Sequence, residues 1–133
     1  MELIINAETK NLAAVNDFID DVLAGHTCSP SAKMHIELMV EEIFVNIASY
    51  AYSDNIGTVT VKGDVADNKL TLVFIDSGVA YDPLAHPDPD LTLSAEEREI
   101  GGLGIYLVKK YANHADYEYK DGQNILTICK SLE

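Results

Sequence analysis

The chain is expected to fold as an α+β two-layer sandwich, a mostly antiparallel sheet with helices covering one face. Three observations predict this. Apolar residues recur at helical spacing through the first third of the chain, while two later β-rich pairs are each interrupted by a two-residue turn signal, Asp67-Asn68 and Asp121-Gly122. Strands joined that tightly are antiparallel neighbours, and helices of matching amphipathicity must bury their stripes against them. The length, 133 residues, suits one domain over residues 1–133, with a single core.

Residues 2–6 form a short first strand. A helix follows from about Thr9, with Leu12, Val15, Ile19, Val22 and Leu23 at helical spacing and Gly25 as its stop. The second helix starts after Ser29-Pro30, where the serine caps and the proline suits the first turn. Its apolar stripe is Ile36, Val40, Ile43, Ile47 and Ala51, and Glu42 and Asn46 lie on the flank of that stripe, placed to line a cleft edge. The runs 57–66 and 69–75 form a hairpin around Asp67-Asn68. From Tyr81 to Ile100 there is no clear periodicity. Pro83, Pro87 and Pro89 stand there among Asp82, Asp88 and Asp90, and so long an irregular stretch reads as a lid, about 81–100. A third helix runs from about Gly102 to Asn113, and residues 115–130 form a second hairpin around Asp121-Gly122.

Composition narrows the function classes. Hydrophobic residues make up 47% and charged residues 23%, near the averages of globular proteins, and no apolar run approaches a membrane span, so no membrane partner is expected. The N-terminus lacks a basic leader segment, and Cys28 and Cys129 stand alone, which together imply a cytoplasmic protein with reduced thiols. The four histidines are scattered outside any metal-binding spacing. With 22 acidic residues against 9 basic ones the net charge is -13, a surface that repels phosphate backbones, so nucleic acid is not expected as a partner.

Three segments carry chemistry. Glu42 and Asn46, four residues apart on one helix, can converge on a point above it, an amide oxygen suiting Mg2+ and a neighbouring carboxylate suiting proton abstraction. The plain alternative is a solvated acid beside a tolerated asparagine. Asp76 ends the run Leu70-Thr71-Leu72-Val73-Phe74-Ile75, and as a pure acceptor it suits the amino group of adenine, with Gly78 letting the backbone pass close to the base. Asp-Ser-Gly is also ordinary strand-ending turn chemistry. Gly101, Gly102 and Gly104, with Leu103 among them, open a helical run, so free amides there can face a phosphate; a hinge is the alternative. No Gly-Lys-Ser or Gly-Lys-Thr follows, and no strand leads in, which excludes a Walker loop and a dinucleotide fingerprint. Arg98, the only arginine, either reaches the γ-phosphate or pairs at the surface with Glu96, Glu97 or Glu99. In this order the three segments read as a nucleotide site.

With these boxes the chain resembles the GHKL (Bergerat-fold) ATPases, and most closely the bacterial anti-sigma-factor serine/threonine kinases, over nearly its whole length. Residues 41–52 look like that family's N box, 76–83 like its first glycine box and 101–108 like its second. The resemblance implies that Glu42 is the general base, Asn46 the Mg2+ ligand, Asp76 the adenine acceptor, and Gly102 and Gly104 phosphate-contacting positions beneath a lid that closes over ATP. The candidate cofactor-binding set is thus Asn46, Asp76, Gly78, Arg98, Gly101, Gly102, Leu103 and Gly104. It further implies ATP and Mg2+ as cofactors, phosphoryl transfer to a serine or threonine of an anti-anti-sigma (STAS-domain) partner, alternate sequestration of a sigma factor, and a homodimer. Three departures stand out: Ala80 and Ile100 occupy places where glycine is common, and Ser49 replaces a lysine common in sensor histidine kinases. The competing expectation is a non-catalytic, nucleotide-gated module that sequesters a regulatory partner.

Overall fold

The computed structural model describes residues 1–52, 56–85 and 102–133, with 102 and 103 described in backbone only. Five strands, β1 (Glu2–Asn6), β2 (Thr58–Ala66), β3 (Lys69–Asp76), β4 (His114–Lys120) and β5 (Gln123–Ser131), form one sheet in the order β1-β2-β3-β5-β4. Every neighbouring pair is antiparallel. Three helices accompany it, α1 (Leu12–Leu23), α2 (Pro30–Tyr50) and α3 (Gly102–Tyr111), giving the α+β two-layer sandwich with an antiparallel sheet that the patterning predicts.

The turn residues explain the strand pairing. Asp67 and Asn68 have φ of 53° and 60°, and Asp121 and Gly122 have φ of 53° and 77°, so both hairpins turn through two left-handed residues, the backbone whose twist matches the flanking strands. Alternation then sorts the side chains. Val59 and Val61 of β2, Leu70, Leu72 and Phe74 of β3, and Leu126 and Ile128 of β5 are buried on the face that meets the helices and share one core with Val15, Ile19, Ile36, Val40 and Ile43.

The helix starts and stops follow local chemistry. Ser29 Oγ accepts from the Ala32 amide at 3.0 Å and Pro30 takes the first position of α2, as expected. The first helix begins as a 3-10 turn, Thr9–Asn11, and becomes α-helical only at Leu12; the Asn11 side-chain Nδ2 donates back to the Asn6 carbonyl at 3.0 Å, while its backbone N–H donates to the Glu8 carbonyl at 2.9 Å. Gly25 ends that region with φ of 81°. The third helix ends at Tyr111, before Asn113, whose backbone N–H donates to the Cys129 carbonyl at 2.8 Å and whose Oδ1 accepts from Ser131 N at 2.6 Å. Residues that bond to β5 cannot continue a helix.

The buried arc of α2 is wider than its expected stripe. Met39 and Phe44 are fully buried beside Ile36, Val40 and Ile43, and α2 packs against α1, α3 and the sheet. His35 of α2 stacks on Tyr111 of α3 with ring centroids 3.9 Å apart and planes within 9°. That contact seats α3 alongside α2, where the flank carrying Glu42 and Asn46 runs.

Candidate functional site

Period-two alternation decides where Asp76 goes. It is the next member of the buried series Leu70, Leu72, Phe74, so its carboxylate turns beneath the helices and is only 6% exposed. There it borders a cavity of about 450 Å³ between α2, β3, β5 and the first turn of α3. The walls are mostly apolar, from Ile43, Ile47, Phe74, Ile105 and Leu126, with Asn46, Asp76 and Asn124 as the polar members and Tyr50, Tyr81 and Tyr117 around them. A few polar groups set in apolar walls at this volume is the usual make-up of a small-molecule site.

Asp76 Oδ1 accepts from the Gly78 amide and from Asn124 Nδ2, both at 2.9 Å. No hydrogen bond from the described residues reaches Oδ2, leaving that oxygen as an acceptor. Asn124 stands directly opposite Asp76 in the β3–β5 register and is equally buried. Its Nδ2 also donates to the Val79 carbonyl at 2.9 Å, while its Oδ1 accepts from the Tyr81 amide at 3.1 Å and the Tyr117 hydroxyl at 2.5 Å. Burial pushes the Tyr117 phenol above its ordinary value and the charges of Asp82 and Asp76 add to that, against the Tyr81 amide, so it remains a donor.

Asn46 lines the same cavity from α2, and its side chain makes no hydrogen bond among the described residues. Glu42, one turn earlier, is half-buried and lies outside the cavity wall. Its carboxyl is raised from the ordinary glutamate value, first by burial and then by the charge of Glu41. Its neighbour is Gly104: a Cβ added there would overlap Glu42 Oε2. The segments around Glu42–Asn46, Asp76 and Gly104 are thus brought together, α3 completing the cavity through Ile105.

Gly78 is placed differently from its neighbours. A Cβ there would overlap the Ala51 carbonyl at the end of α2, and the next residue, Val79, donates its amide to the same carbonyl at 2.9 Å. The close approach that needs glycine is between backbone and backbone, and the cavity wall in this stretch is Asp76, Val79, Ala80 and Tyr81. Tyr52 fastens the same corner: its hydroxyl donates to the Thr58 carbonyl at 2.6 Å and accepts from the Ser77 amide at 2.8 Å, its ring lying flush on Gly57. Burial raises the Tyr52 phenol, the Ser77 amide opposes this, and Asp76 adds to it.

Of the expected lid, Tyr81 and Pro83 also line the cavity, and Pro83–Ala85 is a 3-10 turn. The remainder of the lid, with Arg98 and Gly101, lies outside the described residues. Gly102 and Leu103 occupy the start of α3. Asn124 and Tyr117 are the site members that sequence reasoning missed. The one signal for Asn124 was a polar residue at an inward position of the alternating run Asn124-Ile125-Leu126-Thr127-Ile128.

Among the described residues no helix is long and apolar enough to cross a membrane, and no cluster of three or more His, Cys, Asp or Glu could hold a metal ion.

The family described as "Histidine kinase-like ATPase domain" matches residues 5–130. "Serine/threonine-protein kinase BtrW" of Bordetella bronchiseptica is 25% identical over 129 residues, covering 96% of this chain and 89% of the relative. An "Anti-sigma F factor" of Caldanaerobacter subterraneus is 26% identical over 91 residues, 68% of this chain and 64% of the relative. The "Serine-protein kinase RsbW" of Bacillus cereus is 22% identical over 95 residues, and the match spans 59% of it. Among solved structures, the RsbU and RsbW domains of a Mycobacterium tuberculosis protein superpose with a TM-score of 0.68 at 17% identity, over 99% of this chain and 32% of that one.

Proposed function

Because the chain belongs to the histidine kinase-like ATPase family, matched over residues 5–130, we propose that it is an ATP- and Mg2+-dependent serine/threonine kinase of the anti-sigma type. Its substrate in this reading is a serine or threonine of an anti-anti-sigma (STAS-domain) partner, and it works as a one-domain cytoplasmic homodimer that also holds a sigma factor. The observation that carries the reading is that Asn46 of α2 and Asp76 of β3 line one cavity, closed by Ile105 next to the Gly104 that abuts Glu42. The names of relatives such as BtrW and RsbW support kinase activity, and that of the anti-sigma F factor supports the regulatory setting.

The residues fit the expected nucleotide and metal. Asp76 Oδ2 offers an acceptor to the exocyclic amine of adenine, and the apolar walls suit the faces of a base. Asn46 has an uncommitted amide oxygen, and a site with few protein ligands is what Mg2+ takes when phosphates and waters complete its shell. Magnesium, when bound, would neutralise charge on the triphosphate. Glu42 would take the proton from the attacking hydroxyl as that oxygen bonds to the γ-phosphorus and ADP leaves; its raised pKa makes it a better proton acceptor. Gly102, Leu103 and Gly104 would place helix-start amides near the phosphates, with Gly101 and Arg98 as further contributors.

Radiolabelled ATP, Mg2+ and a STAS-domain protein test the proposal. The unaltered chain is expected to label the partner on serine or threonine, and Glu42→Ala to retain ATP binding while losing transfer. Undiminished transfer by that variant removes Glu42 as base; absence of ATP binding by the unaltered chain removes the whole reading. A second reading, a nucleotide-gated module that sequesters its partner without catalysis, is favoured by one observation: Glu42 does not line the cavity. Tight ATP binding by calorimetry with no labelling of any STAS partner would select it.

A further inference from the structure

Asp76 and Asn124 are the two buried polar side chains among the described residues, and they face each other across β3 and β5. Asn124 is saturated. Both Nδ2 hydrogens are spent, on Asp76 Oδ1 and the Val79 carbonyl, and both Oδ1 lone pairs, on the Tyr81 amide and the Tyr117 hydroxyl. The orientation of the amide is forced, because a flipped Asn124 would set its NH2 against the Tyr81 N–H and its oxygen against a carboxylate and a carbonyl. A side chain in this state has no donor or acceptor left for a ligand. Its effect on a ligand must pass through what it holds.

We propose that Asn124 is a positioning residue that sets base selectivity: it locks the Asp76 carboxylate with Oδ1 occupied and Oδ2 as the open acceptor, and it pins Val79 and Tyr81 of the cavity wall. The inference rests on the nucleotide-site reading above. With Oδ1 held by Gly78 and Asn124, the carboxylate offers a ligand an acceptor and nothing else. A purine with an exocyclic amine at C6 satisfies it, whereas a 6-oxo purine sets acceptor against acceptor. Asn124 cannot relieve that clash, since neither of its hydrogens is free. Removing the Asn124 side chain leaves Oδ1 held by the Gly78 amide alone, which loosens the carboxylate, and opens space for a water, which can donate to a 6-oxo group. Selectivity should then relax.

The test is calorimetric titration of the full chain and of Asn124→Ala with ATP and with inosine triphosphate, which differ only at C6 and N1. The unaltered chain should prefer ATP, and the variant should lower the ATP-to-inosine ratio by about tenfold, the worth of one hydrogen bond to a charged group. Equal weakening toward both nucleotides, or an unchanged ratio, overturns the inference while leaving the nucleotide reading intact. No ATP binding by the unaltered chain overturns both. If the variant does not fold, NMR of the unaltered chain decides: the Asn124 side-chain NH2 protons should be protected from solvent exchange with and without ATP. Free exchange of those protons overturns the lock.

Discussion

Gly104, in the first turn of α3, lies against the carboxylate of Glu42 on α2 so closely that a single added methyl would overlap Oε2. The two residues stand 62 positions apart in sequence. The obstructed atom is the tip of a flexible side chain, so the conflict is resolved by turning Glu42 away rather than by moving a helix. Gly104→Ala therefore separates stability from chemistry. Alanine in a helix gains up to about 1 kcal/mol over glycine, so the melting temperature should hold or rise. Phosphoryl transfer should fall about tenfold or more, the effect of losing a well-placed proton acceptor. A thermal melt beside a radiolabel assay checks both.

The pH profile of transfer should report Glu42. Burial, then the charge of Glu41, raises its pKa, and the proposed base acts in its ionised form. Activity should therefore rise with pH through a limb displaced upward from the ordinary glutamate value, and be lost below it. Glu41→Gln removes the second cause and should move that limb to lower pH. A limb unaffected by this change would assign it to another group.

Asp76→Asn replaces an acceptor by an amide that can present a donor at the same place. ATP affinity should fall about tenfold or more, with secondary structure unchanged by circular dichroism. Asn46→Ala should weaken ATP binding in the presence of Mg2+ more than in its absence, since its proposed partner is the metal. Calorimetry with and without a chelator measures the difference.

Gly78→Ala should behave oppositely to Gly104→Ala. The atoms in its way are the backbone carbonyl and Cβ of Ala51 at the end of α2, which cannot rotate aside. Overpacking of this kind costs about 1–3 kcal/mol, and chemical denaturation should show the loss. An unchanged denaturation midpoint would mean that the α2 terminus yields more readily than its bonds to Val79 and Ile47 suggest.

Much of the fold was legible because it rests on local rules. The two hairpins follow from Asp67-Asn68 and Asp121-Gly122, residues that tolerate positive φ, and the start of α2 follows from Ser29-Pro30. The boundaries that shifted did so through contacts distant in sequence: Asn113 leaves α3 because β5 claims its backbone and side chain. Met39 and Phe44 were missed as core because the packing of α2 against α1, α3 and the sheet is invisible in the periodicity of α2 alone.

The order of the three boxes, the placing of Glu42 and Asn46 on one helix flank and the inward phase of Asp76 were determined by sequence, since helical and strand periods act over a few residues. Which of them share a cavity, that Gly104 meets Glu42, that Gly78 yields to the α2 carbonyl, and that Asn124 holds Asp76, were decided only by tertiary structure. Close approach and hydrogen-bond saturation depend on strand register and helix seating, and those are properties of the assembled layers rather than of any one segment.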